Sequence, residues 1–193
     1  MGMRIWTGTI AHHDPGTQIP YYLRIEPRGA QAVAVPASAP EKPVRMTFKG
    51  RPSPPVLIAH IVAMMGGLIP LMIAFVAAWT YLVRNRGLVL LRRSALIGFV
   101  SLLLGGVPLG MIVESQVFGT SWQGWPFGRD VTDTKTAVLL LAWLALLLSR
   151  GRALFGREAA VRGPRDRAWA AWVIVLGIVT AGVYLIPHEN VKV

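Results

Sequence analysis

The residues best suited to chemistry in this sequence are a few histidines and carboxylates. They are His60, Glu114, Asp130, Asp133 and His188. Imidazole nitrogens and carboxylate oxygens can together bind a divalent metal with open coordination positions, and such a metal can activate water. Alternatively, two histidines on neighbouring helices can ligate a haem b axially, and His60 and His188 are the predicted pair. The sequence contains no cysteine, which excludes thiolate catalysis, iron–sulfur clusters, covalently attached haem and cysteine-ligated zinc.

The same side chains also have a purely structural interpretation. In it, His60 is a histidine near a helix end that hydrogen-bonds to a neighbouring loop or to Glu114. Asp133 pairs with Lys135 or Arg129 and so anchors that loop. Ion pairs of this kind allow a short helix to carry charged residues below a membrane surface. The residue types agree with both interpretations.

The elements that must position these residues are membrane helices. Of the 193 residues, 53% are hydrophobic and only 15% are charged. Soluble domains have about 25% charged residues, so this chain has too little charge to cover a water-facing surface. We therefore predict an all-α membrane protein, a four-transmembrane-helix up-and-down bundle with a small β-rich extramembrane segment at the N-terminus.

Four segments are long and apolar enough to cross a bilayer, which takes about 20 helical residues. The predicted spans are about 56–83, 94–113, 131–150 and 168–187. The third is unusual because its unbroken apolar part, Ala137 to Leu148, would cover only about 18 Å as a helix. To cross the membrane, this helix must begin near Val131 and carry Asp133 and Lys135 below the surface.

Residues 1–55 form the predicted extracytoplasmic segment, and residues 56–193 form the transmembrane domain. In the first segment, Met3–Ile10 and Gln18–Ile25 are rich in β-branched and aromatic residues around the turn sequence Asp14-Pro15-Gly16. This pattern predicts a hairpin. Val44–Phe48 is a candidate third strand.

The distribution of arginine predicts the orientation. The loops after the first and third spans contain ten arginines and two acidic residues, a net charge of +8, against +3 for the rest of the chain. The positive-inside rule places these loops in the cytoplasm of a bacterial inner membrane, and the N-terminus, the loop 114–131 and the C-terminus outside. Anionic lipids are their expected partners, and nucleic acid is not. The arginines expected to face lipid are Arg84, Arg86, Arg92, Arg93, Arg150, Arg152 and Arg157.

The most distinctive stretch lies between the second and third spans, from Phe118 to Thr136. Its aromatic residues Trp122, Trp125 and Phe127 are suited to a membrane interface. Glycines between them permit tight turns. We expect this stretch to lie across the bundle as a lid, with Lys135 at its end.

Four sequence features together resemble a bacterial family of four-span integral membrane proteins. They are the Phe48-Lys-Gly lead-in, the histidine early in span one, the loop W-x-G-W-P-F-G-x-D-x-T-D-x-K-T and the Pro-His pair that ends the last span. That family has no assigned activity. The resemblance therefore implies the fold and the lid, and no function.

The expected function follows from what the chain lacks. It has almost no soluble domain and no complete catalytic constellation, so the sequence leaves open whether it is an enzyme. We expect an accessory or assembly subunit of a larger membrane complex, with electron transfer as the leading class of complex. Its partners would be lipids and other membrane-protein subunits. The alternative is a small membrane protein with its own outer-face cofactor site, holding either haem b or a divalent metal.

Overall fold

Helices dominate the computed structural model, which describes residues 7–27, 29–155 and 163–185. The helices are α1 (Pro54–Arg84), α2 (Leu88–Leu104), α3 (Gly110–Phe118), α4 (Val131–Leu148) and α5 (Pro164–Leu185). A π-helical turn, Gly105–Leu109, joins α2 to α3, so that Leu88–Phe118 is one continuous helical segment. Within the described part of the chain, four helical segments are long and apolar enough to cross a membrane.

The first and third helical segments match the predicted spans to within two residues at each end. The fourth begins at Pro164, four residues before its predicted start. The second differs most. That span was predicted as 94–113, whereas the helical segment runs from Leu88 to Phe118. The difference arises because Arg92 and Arg93 are helical, and sequence reasoning placed them in a loop. The third helix begins at Val131, as its length required.

Proline and a left-handed residue set the ends of α1. Pro54 and Pro55 occupy its first turn, where a missing N–H costs nothing. Asn85 ends it in the left-handed region with φ 52°, and its N–H donates to the carbonyl of Tyr81. Only three residues then separate α1 from α2, so these two helices form an antiparallel hairpin.

Glycines bring α1 and α2 into close contact. A Cβ built on Gly98 would lie 2.5 Å from Cγ of Leu71, and one on Gly67 would lie 3.0 Å from Cβ of Ser101. One on Gly105 would lie 2.9 Å from Cγ of Met64. Close approach of this kind is how membrane helices gain van der Waals contact where lipid offers no hydrophobic drive.

Two indole N–H groups fasten α4 to α5. Trp143 is fully buried and donates to the hydroxyl of Thr180 at 3.0 Å. Trp169 donates to the carbonyl of Leu146 at 2.9 Å. Buried indoles usually find such partners, and here both partners lie on the neighbouring helix.

A buried ion cluster lies at the same end of the bundle and corrects two expectations. Arg92 and Asp166 are 2% and 3% exposed, and their side chains are 2.9 Å apart. Arg150 forms a second ion pair with Asp166. Arg92 and Arg150 were expected to face lipid, but both are turned inward, where they share the carboxylate of Asp166. Among the other arginines of that set, Arg84, Arg86, Arg93 and Arg152 are exposed, and Arg157 lies outside the described residues.

The N-terminal segment is a two-stranded ribbon of four short strands. They are β1 (Gln18–Tyr21), β2 (Leu23–Ile25), β3 (Val33–Val35) and β4 (Val44–Thr47). β1 pairs antiparallel with β4, and β2 pairs antiparallel with β3. The inner hairpin β2–β3 therefore continues the outer pair β1–β4.

The predicted hairpin partner was wrong where it can be compared. The turn at Asp14 forms, since Thr17 N–H donates to its carbonyl at 3.1 Å. Residues 7–10 nevertheless form no strand, and the rest of Met3–Ile10 lies outside the described residues. β1 pairs instead with the distant strand β4. Gly16 N–H donates to Phe48 O at 2.8 Å and extends the β1–β4 ladder.

Candidate functional site

A polar cleft opens at the end of the bundle opposite the buried ion cluster. Its volume is about 440 Å³. It is lined by the linker after β4, by α1, by the π turn, by α3 and by the first turns of α4. Four of the five predicted site residues line it: His60, Glu114, Asp130 and Asp133. The fifth, His188, lies outside the described residues.

Asp130 is the N-cap of α4. Its Oδ1 accepts hydrogen bonds from the backbone N–H groups of Thr132 at 2.7 Å and Asp133 at 3.0 Å. These are N–H groups that no helix carbonyl can satisfy, and an aspartate there also complements the helix dipole. The spacing of the two aspartates predicted a shared face at a helix start, and Asp130 is where that helix starts.

Asp133 fastens the tryptophan-containing loop to α4. Its Oδ2 accepts from the backbone N–H of Gln123 at 2.8 Å and of Gly124 at 3.2 Å. The hydroxyl of Thr134 accepts from the N–H of Trp125 at 3.0 Å. The anchoring role predicted for Asp133 is thus filled by backbone donors, where sequence reasoning proposed Lys135 or Arg129.

Gly124 shows how closely the loop approaches the helix. A Cβ at this position would lie 2.3 Å from Cβ of Asp133 and 2.6 Å from the backbone nitrogen of Thr134. Only glycine allows the loop backbone to lie so near the first turn of α4. Asp130 N–H closes the loop by donating to Gln123 O at 2.9 Å.

Residues 119–130 therefore form a compact cap on the start of α4. The predicted lid loop 114–131 is shorter at its beginning, because residues 114–118 belong to α3. None of residues 119–129, all of which the structure describes, lines the cleft. Trp125 and Phe127 are 55% and 86% exposed, and Trp122 donates its indole N–H to the carbonyl of Trp125 at 3.2 Å. The expectation of a lid across the bundle is corrected to a cap on one helix.

Glu114 reaches the cleft from α3. It is partly buried, and its carboxyl group is near enough to those of Asp133 and Asp130 to interact with them electrostatically. Three carboxyl groups thus share this corner of the cleft, and two of them are engaged in holding α4 and its cap.

His60 is bound to the π turn. Its Nδ1 lies 2.9 Å from the carbonyl oxygen of Gly105, and because that oxygen can only accept, Nδ1 carries the proton. Gly110 N–H donates to the same oxygen in the π-helical pattern. Pro108 lies within the turn and has no N–H to give to the preceding turn. His60 therefore hydrogen-bonds to the neighbouring helical segment. The sequence had predicted the loop or Glu114 as its partner.

The cleft is better suited to structure than to metal chemistry. In residues 7–27, 29–155 and 163–185, no three His, Asp or Glu side chains are grouped so that they could hold a metal ion. Asp130 and Asp133 already accept backbone hydrogen bonds. Of the two predicted haem ligands, His60 lines the cleft and His188 lies outside the described residues.

Comparisons of the chain with protein-family models, with curated proteins and with solved structures find no match. The resemblance to a four-span bacterial family thus stays a prediction. Function must be inferred from the geometry of this chain alone.

Proposed function

We propose that the protein is a multi-pass accessory subunit of a larger complex in a bacterial inner membrane, and that it binds its partner through the hairpin β2–β3. The leading class of complex is one that transfers electrons. A single observation carries the proposal, namely an exposed apolar face on a hairpin that projects from the polar end of the bundle.

The register of the hairpin defines this apolar face. Leu23 is opposite Val35, and Ile25 is opposite Val33. Directly opposed residues share a face of the sheet, as do residues two apart along a strand. All four side chains therefore lie on one face, and they are 59%, 47%, 52% and 53% exposed in the order named.

A two-stranded hairpin of this size gains stability when another surface packs on its apolar face. An isolated two-stranded hairpin is marginally stable in water, and it gains independent stability from a further strand or a packed surface. The edges of β2 and β3 also offer unpaired backbone groups to a partner strand. An apolar face together with open edges fits a protein partner that supplies both kinds of contact.

The roles of the cleft residues support the same proposal. Asp130, Asp133 and His60 each hold a helix, a cap or a turn in place, which leaves no complete catalytic set among the described residues. The ribbon is tied to the same end of the bundle, since Gly50 N–H donates to Val117 O at 2.9 Å. The proposed partner therefore binds on the side of the cleft, which the arginine count predicts to be extracytoplasmic.

The test is co-purification after gentle detergent extraction, with partners identified by mass. The wild type and the matched control Ile10→Asp, which alters an exposed apolar residue outside the hairpin, should both carry the same partner. The double variant Leu23→Asp/Val35→Asp should lose it and yet extract as a folded protein. A free wild-type monomer, a partner unaffected by the double variant, or a complex containing only copies of this chain would each overturn the proposal.

A second candidate is a haem b site of the protein's own on the cleft side. It is favoured by the cleft itself and by His60, whose Nε2 stays available as a ligand when Nδ1–H donates to Gly105. An absorbance scan of the purified protein, together with metal analysis, tests this candidate. A spectrum without a Soret band and a metal content at background would remove it.

A further inference from the structure

A second opening, separate from the cleft, lies between α4 and α5. It is a groove of about 520 Å³. On α4 it is lined by residues on one helical face, including Val138 and Ala142, and on α5 by Leu176, Val179 and Val183. From Val131 to Ala142 the α4 side is about 16 Å long. The groove is therefore a largely apolar surface groove that runs along α4.

The groove lies beside a contact that joins α4 to α5. Trp143 on α4 donates its indole N–H to the hydroxyl of Thr180, and Thr180 lies between the groove residues Val179 and Val183 on α5. Val138 and Val179 line the groove and are 58% and 48% exposed. An apolar chain in the groove would cover these exposed side chains.

Two cationic side chains line this groove. Arg129, from the cap, and Lys135, from the second turn of α4, both line the groove. Trp125 lines it as well, and tryptophan favours the level of lipid head groups. A ligand that fits must carry negative charge at one end and an apolar chain at the other.

We propose that this groove binds one anionic phospholipid, with its phosphate against Arg129 and Lys135 and an acyl chain between α4 and α5. The inference rests on the membrane insertion proposed above, and it is independent of the hairpin and its partner. It makes the cap a lipid-binding element, since Trp125 and Arg129 belong to the cap and face the groove.

Native mass spectrometry of the detergent-purified protein with added phosphatidylglycerol or phosphatidylcholine tests the proposal. The wild type should retain phosphatidylglycerol in preference to phosphatidylcholine. Arg129→Gln/Lys135→Gln should weaken that retention by roughly thirtyfold, because two cations near a lipid surface contribute about 1 kcal/mol each and about 1.4 kcal/mol is a factor of ten. Ala142→Trp, which fills the apolar part and leaves both cations intact, should weaken it too.

The matched control is Arg84→Gln/Arg86→Gln, which removes two exposed arginines at the other end of the bundle and should leave retention unchanged. Equal retention of the two lipids, or an equal loss in the control, would contradict a specific site. Displacement by inorganic phosphate alone would show that the apolar part does not bind. A protein that cannot be extracted as a membrane protein at all would instead defeat the proposed membrane insertion.

Discussion

At the scale of residues, the described carboxylates Asp130, Asp133 and Asp166 bind backbone N–H groups and arginine side chains. Asp130 satisfies N–H groups at the start of α4, and Asp133 satisfies N–H groups of the cap. Asp166 pairs with two arginines at the other end. The sequence predicted that Asp130 and Asp133 share a face at a helix start. It could not predict that the donors to Asp133 are Gln123 and Gly124, because those bonds depend on how the loop folds back.

Replacing Asp133 by alanine should loosen the cap. Two backbone N–H groups would lose a charged acceptor, and hydrogen bonds to charged groups contribute about 1.5–3 kcal/mol each. The measurement is the thermal midpoint in detergent, followed by tryptophan fluorescence, to which Trp122 and Trp125 contribute together with the other five tryptophans. Glu26→Gln is the control, because its ion pair with Arg24 is exposed and contributes little. Equal midpoints for Asp133→Ala and wild type would show that the cap is held by other contacts.

Asp166→Asn should destabilise the protein by about 3–5 kcal/mol, since it leaves the buried Arg92 and the largely buried Arg150 without their shared carboxylate. Chemical unfolding in mixed micelles measures this loss. Arg152→Gln, at an exposed position nearby, should change the unfolding free energy by less than about 0.5 kcal/mol. A similar loss for both variants would argue against a special role of the buried cluster.

At the scale of elements, close helix contacts and irregular turns shape the bundle. The apolar pattern predicted the helices, because hydropathy depends only on the local sequence. It did not predict the π turn at Gly105–Leu109 or the strand partners, because both depend on contacts with distant segments. Likewise, the sequence indicated that glycines serve packing, yet it could not say which face of α1 meets α2.

Neighbouring glycines on α1 and α2 should respond differently to alanine. Gly98→Ala places a Cβ 2.5 Å from Cγ of Leu71, so the two helices must part or Leu71 must move. Gly66→Ala meets nothing within 4 Å, and it gains up to about 1 kcal/mol of helix propensity. Thermal midpoints should therefore fall for Gly98→Ala and hold or rise for Gly66→Ala. The reverse order would mean that these helices do not pack as described.

At the scale of the whole molecule, the two ends of the bundle differ. The arginine end is closed by buried tryptophans and ion pairs, and the other end carries the cleft, the groove and the ribbon. Composition predicted a membrane protein and the charge count predicted its orientation. The contrast between a closed and an open end could not be predicted, because it depends on which polar groups meet in space.

Single cysteines introduced into this cysteine-free chain should report the orientation. Ile10→Cys, at an exposed position outside the hairpin, should react with a membrane-impermeant thiol reagent applied to intact cells. Arg152→Cys, in the exposed loop after α4, should react only after the membrane is permeabilised. The opposite pattern would invert the topology and would move the proposed partner to the cytoplasmic side.

The order in which the chain is synthesised also affects the buried ion cluster. Arg92 and Arg150 precede Asp166 in the chain by 74 and 16 residues, so synthesis produces both positive charges before their carboxylate. Under the proposed topology, these arginines first act as uncompensated charges that keep their loops in the cytoplasm during insertion. When α5 arrives with Asp166, both arginines pair with that one carboxylate, Arg92 becomes buried and Arg150 becomes largely buried. Arg92 and Arg150 would thus first orient the nascent chain and then stabilise the folded bundle through Asp166.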